Sequence, residues 1–242
     1  VAGEVGSLTD RHQTLSVAFM DNVLPREGVG ELCGALAGLK KDLRIFAEVR
    51  ATTRQRDLAA LRRAGAERLQ VGIEALSTSL LKRLGKGTTA IDNLALMKNC
   101  EALGLINSAN LILHFPGSTA AEVDETLAAI ELAKAFRPLK CVSFWLGLGS
   151  PVWRDHKAYG LQALWPHHHL ARLFPESVAS RMTFMIYGYR GDRLRQYKLW
   201  RPVERKVAAW QRAFARLRPI EIDTPALYLR NGGNFAIIIQ HR

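Results

Sequence analysis

The sequence predicts an α/β fold organised around a parallel sheet, on three observations. Short apolar runs rich in β-branched and aromatic residues alternate with stretches of helical apolar spacing. Ser, Thr and Gly stand where helix caps belong, and each strand-like run is separated from the next by a helical crossover. Parallel neighbours need a connection of about a dozen residues or more, so the alternation implies a parallel sheet, either open or closed into a barrel.

The elements follow in order along the chain. Residues 15–20 form the first strand, ending at the polar pair Asp21 and Asn22, and residues 28–39 have helical spacing. Residues 43–49 are the second strand, and the helix over 53–64 stops at Gly65, where a left-handed residue closes a helix. Residues 68–73 are the third strand. Ser77 caps a short helix to residue 84, and a Gly85-Lys86-Gly87 break precedes a helix capped by Thr88 or Thr89 that ends at Gly104. The fourth strand, 107–114, runs into Phe115-Pro116-Gly117. Thr119 with Glu122 three residues on makes a capping box for the helix to residue 136. Residues 141–146 are the fifth strand.

Beyond Gly149 the pattern changes. Trp153, Tyr159, Trp165, Pro166 and Pro175 punctuate a loop-rich stretch, then a strand over 183–189, a helix over 201–217 and a Gly-rich β-hairpin over 227–239 complete an α+β appendage. The division is therefore a barrel or sheet unit over 1–155 and the appendage over 156–242. In open sheets and barrels alike, ligands lie at the carboxyl ends of parallel strands. The polar residues at those ends are Asp21, Asn22, Glu48, Arg50, Glu74, Asn110, His114 and Ser143.

Composition narrows the function. At 242 residues, 48% hydrophobic and 23% charged, the chain has ample material for a folded core. No apolar run reaches the 18 or so residues a membrane helix needs, so no membrane partner is expected. The opening Val1-Ala2-Gly3-Glu4 has neither an initiator Met nor the parts of a secretion signal, which reads as an internal piece of a longer, cytoplasmic protein. Lys and Arg number 34 against 22 Asp and Glu, a net +12, but the excess lies between Arg181 and Arg218, as on a solvated helix face. No nucleic-acid module accompanies it, and nucleic acid is not the expected partner.

Cys33, Cys100 and Cys141 lie far apart in apolar stretches, which suits buried thiols in a reducing cytosol and gives no metal-ligand spacing. His167-His168-His169 invites a metal reading. Adjacent side chains point about 100° apart on a helix and to opposite faces on a strand, however, so the expectation is a surface or core-edge role.

Four phrases at successive strand ends carry a resemblance: Phe46-Ala47-Glu48-Val49-Arg50-Ala51, Leu69 to Ser77 around Gly72-Ile73-Glu74, Arg83-Leu84-Gly85-Lys86-Gly87-Thr88, and Asn110 to Gly117. In order and spacing they resemble the radical S-adenosylmethionine (SAM) barrel over roughly residues 15–155. They are most similar to the cobalamin-associated branch that modifies ribosomally made peptides.

The resemblance implies a partial (β/α)6 TIM-like barrel of parallel strands, its first β/α unit missing, with the α+β appendage after it. It implies S-adenosylmethionine bound beside a [4Fe-4S] cluster, one-electron reduction by an electron donor protein, and release of a 5'-deoxyadenosyl radical that abstracts hydrogen from a precursor peptide. Cobalamin is a possible further cofactor of that branch. Glu48 matches a carboxylate near the ligand's ammonium, Glu74 the ribose-contacting position, Lys86 a cation for the ligand carboxylate, and Asn110 a polar position facing ribose or methionine. The backbone around Phe144 and Trp145 matches the adenine edge.

Two departures accompany the match. His114 stands where similar sequences carry a small Gly, beneath the ligand. The Cys-x-x-x-Cys-x-x-Cys loop that would hold the cluster is absent, which the missing first unit explains. A noncatalytic barrel that binds a nucleotide, peptide or nucleic acid through its basic C-terminal region is the alternative expectation.

Overall fold

In the computed structural model the described residues are 1–20, 23–217 and 227–240, so Asp21 and Asn22 lie outside them. The chain runs α1 (Ala2–His12), β1 (Ser16–Ala18), α2 (Val29–Ala37), β2 (Arg44–Val49), α3 (Gln55–Arg63), β3 (Ala66–Glu74), α4 (Thr78–Arg83), α5 (Ala90–Ala102), β4 (Ile106–Leu113), α6 (Ala120–Ala133) and β5 (Lys140–Ser143). These strands make one five-stranded sheet in sequential order β1-β2-β3-β4-β5, every pairing parallel. The α/β reading with parallel strands holds, as an arc of a barrel rather than a closed one.

The punctuation works as the residues dictate. Ser77 accepts from the Leu80 amide, and Thr119 and Glu122 form the reciprocal capping box. Of the two candidate caps for α5, Thr89 takes the role, with Asp92 returning the bond to the cap amide. Gly65 has φ +103°, and its backbone passes so close to the Leu43 carbonyl that any Cβ would collide with it.

One face of the sheet is apolar and covered: Ile45, Ala47, Val49, Leu69, Val71, Ile73, Leu111 and Leu113 are buried. Because strand side chains alternate, the opposite face carries Glu48, Gln70, Gly72 and Asn110 from three adjacent strands, half-buried or exposed. This polar inner face positions the site.

Three elements differ from the sequence reading. The run over 141–146 splits: β5 ends at Ser143, and Leu146–Gly147 (β6) turns away to pair antiparallel with a later strand. After α7 (Pro151–Arg154), β7 (Ala163–Pro166), α8 (His168–Ala171) and α9 (Glu176–Ala179), the expected strand over 183–189 forms as β8 (Ile186–Arg190), central in the antiparallel sheet β6-β8-β7. The terminal helix α10 (Arg193–Leu217) starts eight residues before Arg201 and continues through Pro202. β9 (Leu227–Asn231) and β10 (Ala236–Gln240) close the chain as the expected hairpin. The N-terminal helix α1 went unread because its apolar residues are sparse.

Helix α10 is amphipathic with buried Gln196, Trp200, Val203, Val207, Trp210 and Phe214, a stripe at 3–4 residue spacing packed on α6. Trp210 Nε1 donates to the Phe136 carbonyl at 3.0 Å, and Gln196 Nε2 to that of Ser118 at 3.1 Å. Arg193, Arg195, Lys198, Arg201, Arg205, Arg212 and Arg216 occupy the exposed face, so much of the basic excess is a solvated helix surface.

Candidate functional site

Two cavities open at the carboxyl ends of the parallel strands. The first, about 300 Å³, is lined by Glu48, Arg50, Gln70, Gly72, Glu74, Lys86 and Asn110 among others. The structure therefore brings Glu48, Glu74, Lys86 and Asn110 into one concavity although they come from three strands and a loop. The second, about 270 Å³, is lined by His114, Ser143, Phe144, Trp145, Tyr187, Arg193 and Tyr197 with their neighbours. His114, Phe144 and Trp145 thus face a different space from the other candidates.

In the first cavity Lys86 Nζ lies 3.3 Å from Glu74 Oε1, a half-exposed ion pair worth roughly 0–1 kcal/mol. Both side chains overhang Gly72: a Cβ there would sit 3.9 Å from Lys86 Nζ and 4.0 Å from Glu74 Oε1. Glycine keeps that floor empty. Among the described residues Glu48 and Arg50 make no ion pair with each other, which leaves the Glu48 carboxylate available at the wall.

Glu74 and His114 share an unusual backbone. Glu74 has φ +63° and His114 φ +61°, the left-handed region that non-glycine residues enter at a cost of about 1–2 kcal/mol. Glu74 ends β3, where the register against β4 shifts between Val71 and Glu74, and His114 follows the last residue of β4. Asn93 of α5, fully buried, fixes the first of these turns. Its amide donates to the Ile73 carbonyl at 3.2 Å and to that of Ala75 at 2.8 Å, bracketing Glu74. Sequence reasoning missed Asn93; a polar residue on the apolar side of α5 was the available signal.

Arg83 staples the next loop. It contacts both carboxylate oxygens of buried Glu122 at 3.0 and 3.1 Å, donates to the carbonyls of Pro116 and Gly117, and lies over the Phe115 ring. The Phe115-Pro116-Gly117 turn is thereby held against α4 and α6.

In the second cavity His114 is nearly fully buried, its Nδ1 3.3 Å from Ser143 Oγ and its ring 4.2 Å from that of Tyr197. Nε2 lies 3.4 Å from Glu204 Oε1, near enough to pair when the imidazole is charged but not aligned as a hydrogen bond. Burial pushes the His114 pKa below its ordinary value, and the Glu204 charge opposes that shift only in part.

Residues 12–130 match the radical SAM superfamily. The radical SAM segment covers β1 to most of α6 and includes every residue named for the first cavity. No curated protein matches the chain.

Among solved structures the chain is similar to the radical S-adenosylmethionine methyltransferase TsrM of Kitasatospora setae. With tryptophan substrate and a SAM analogue bound, that structure gives a TM-score of 0.59 at 17% identity over 87% of this chain and 45% of that one. The form with cobalamin and [4Fe-4S] cluster gives 0.53 at 18% identity over 68% and 33%. Apo OxsB, a cobalamin-dependent S-adenosylmethionine radical enzyme, gives 0.50 at 18% identity over 65% and 25%. The likeness is one of fold, and the chain spans between a quarter and a half of those proteins' lengths.

The first cavity suits S-adenosylmethionine in donor set: the carboxylates of Glu48 and Glu74, the cations of Lys86 and Arg50, the amides of Gln70 and Asn110, and a bare glycine floor. The thiols do not suit an iron–sulfur cluster. Cys33 and Cys100 are buried on separate helices, and Cys141 lies half-buried on β5. Burial holds the Cys100 thiol at a pKa of about 12 and, with the Glu204 charge adding to it, the Cys141 thiol at about 11. Cluster iron needs thiolates, so this chain's own cysteines do not supply its ligands.

Proposed function

We propose that this chain is the S-adenosylmethionine-binding portion of a radical SAM enzyme that modifies a ribosomally made peptide. The observation that carries the reading is the convergence of Glu48, Glu74, Lys86 and Asn110 on one cavity inside the superfamily segment.

Each residue has a stated task. Glu74 accepts hydrogen bonds from the ribose hydroxyls, Glu48 pairs with the ligand ammonium, and Lys86 meets the ligand carboxylate as a point charge. Asn110 donates or accepts toward ribose or methionine. Lys86 must then divide its charge between Glu74 and the ligand, and the exposed pair is weak enough to allow it. The bound ligand would be the source of the 5'-deoxyadenosyl radical in the complete enzyme, and cobalamin, an electron donor protein and a cytoplasmic setting belong to the same reading. The cluster's thiolates have to come from sequence other than this.

The unsuited thiols favour one alternative, a noncatalytic barrel that uses the same cavity to hold a nucleotide. Calorimetry or ligand-observed NMR with S-adenosylhomocysteine on wild type, Glu74→Ala and Lys86→Met tests the assignment. Binding nearer millimolar than micromolar is expected, since the chelating iron is not part of this chain. Loss with Glu74→Ala supports the ribose contact; detectable binding that neither substitution changes defeats the register. Adenosine binding as well as S-adenosylhomocysteine, with no contribution from Lys86, would support the nucleotide alternative.

A further inference from the structure

We infer that His167, His168 and His169 form a binding site for a divalent transition-metal ion, Zn²⁺ by chemistry. Their ligating nitrogens all lie within 4.8 Å of one another. The rings are gathered, with centroid separations of 4.6, 5.1 and 4.0 Å.

The sequence expectation that three successive imidazoles diverge assumes one regular element. These straddle two. The His167 amide donates to the Ile186 carbonyl, fixing it just past the end of β7, and the chain enters α8 at His168. Across a strand-to-helix change, successive side chains neither alternate faces nor advance by a fixed angle, and here they collect on one side.

Tetrahedral zinc with Zn–N near 2.0–2.1 Å places its nitrogens about 3.4 Å apart, so closure requires movements of about an ångström. His168 and His169 are exposed, and His167 is half-buried, so the outer rings can turn to make them. Three neutral imidazoles suit zinc, copper or nickel rather than calcium or magnesium, and water would complete the shell. Arg172 repels the metal cation, so micromolar rather than nanomolar affinity follows. His167 lines the second cavity, which places the ion on that cavity's rim.

Zn²⁺ titrated into the full chain against a chromophoric chelator should give one ion per chain, with affinity falling as the pH is lowered and protons compete for the imidazoles. His168→Ala should weaken binding by more than about tenfold, the scale of loss when a metal site is disturbed, whereas His156→Ala should leave it unchanged. Cu²⁺ in place of Zn²⁺ should show several coupled nitrogens in its electron paramagnetic resonance spectrum. Failure to bind Zn²⁺ at 1:1 in the micromolar range overturns the site. So does undiminished binding by the His167→Ala, His168→Ala, His169→Ala triple variant, whose circular dichroism should match wild type because two of the removed rings are exposed and the half-buried His167 is held through its backbone amide, which the substitution keeps.

Discussion

Lys86 reaches across Gly72 to Glu74, closing 3.3 Å between a cation and a carboxylate over a floor that has no side chain. The pair presents opposite charges side by side at a strand end, as a zwitterionic ligand needs. Because both partners are partly solvated, the arrangement contributes little to stability.

Gly72→Val should leave the fold intact and remove ligand binding. The nearest protein atoms to a Cβ at this position are the movable ends of Lys86 and Glu74 at ordinary contact distance, so the sheet tolerates the branch while the cavity loses its floor. Thermal unfolding within a few degrees of wild type, together with no S-adenosylhomocysteine signal in NMR, is the expected result.

Asn93→Leu should destabilise the protein by about 1–3 kcal/mol, because the Ala75 carbonyl loses the Asn93 donor and the Ile73 carbonyl keeps only the Ala75 amide. Denaturant unfolding measures it. Ligand binding should weaken as well, since the turn that holds Glu74 in its left-handed conformation is no longer pinned.

His114 should make stability depend on pH. Its folded pKa is lowered, so the unfolded chain binds the proton more readily; the contribution is fully present above about pH 6.5 and is lost as pH falls below it. The slope is at most about 1.4 kcal/mol per pH unit for one proton. His114→Asn, which accepts a left-handed backbone, should flatten unfolding free energy between pH 6.5 and 5. An unchanged slope would assign the dependence to other groups.

The thiols should be inert. With Cys100 and Cys141 held near 12 and 11, labelling by a thiol-reactive dye at pH 7.5 should be slow in the native protein and fast in denaturant. Anaerobic iron and sulfide reconstitution should leave no stoichiometric visible band.

The parallel order β1 to β5 was legible because each strand is bounded by caps and glycines whose physics is local: Ser77, Thr119 with Glu122, Gly65. The grouping of Glu48, Glu74, Lys86 and Asn110 followed from their strand-end positions and a family resemblance. What was not legible depends on contacts distant in sequence. Leu146 leaves the parallel sheet because β8, some forty residues later, offers it a partner. His114 turns toward Ser143 and Glu204 rather than toward Glu74, and nothing near residue 114 announces a helical carboxylate that lies ninety residues on. The histidine triplet defeated a periodicity argument because it sits at a junction between two periodicities.

Helix α10 has a consequence for the order in which the protein is made. The sheet pairs only sequential neighbours, so it can assemble strand by strand as it leaves the ribosome. The outer side of α6, by contrast, waits for Trp200, Val203, Val207, Trp210 and Phe214, which follow it by up to roughly 80 residues, or about 4–16 s of synthesis at ordinary rates. During that interval the nascent chain carries an apolar helix face with no cover. Helix α10 is the element that packs on that face, so a pause or truncation before its synthesis leaves the face uncovered.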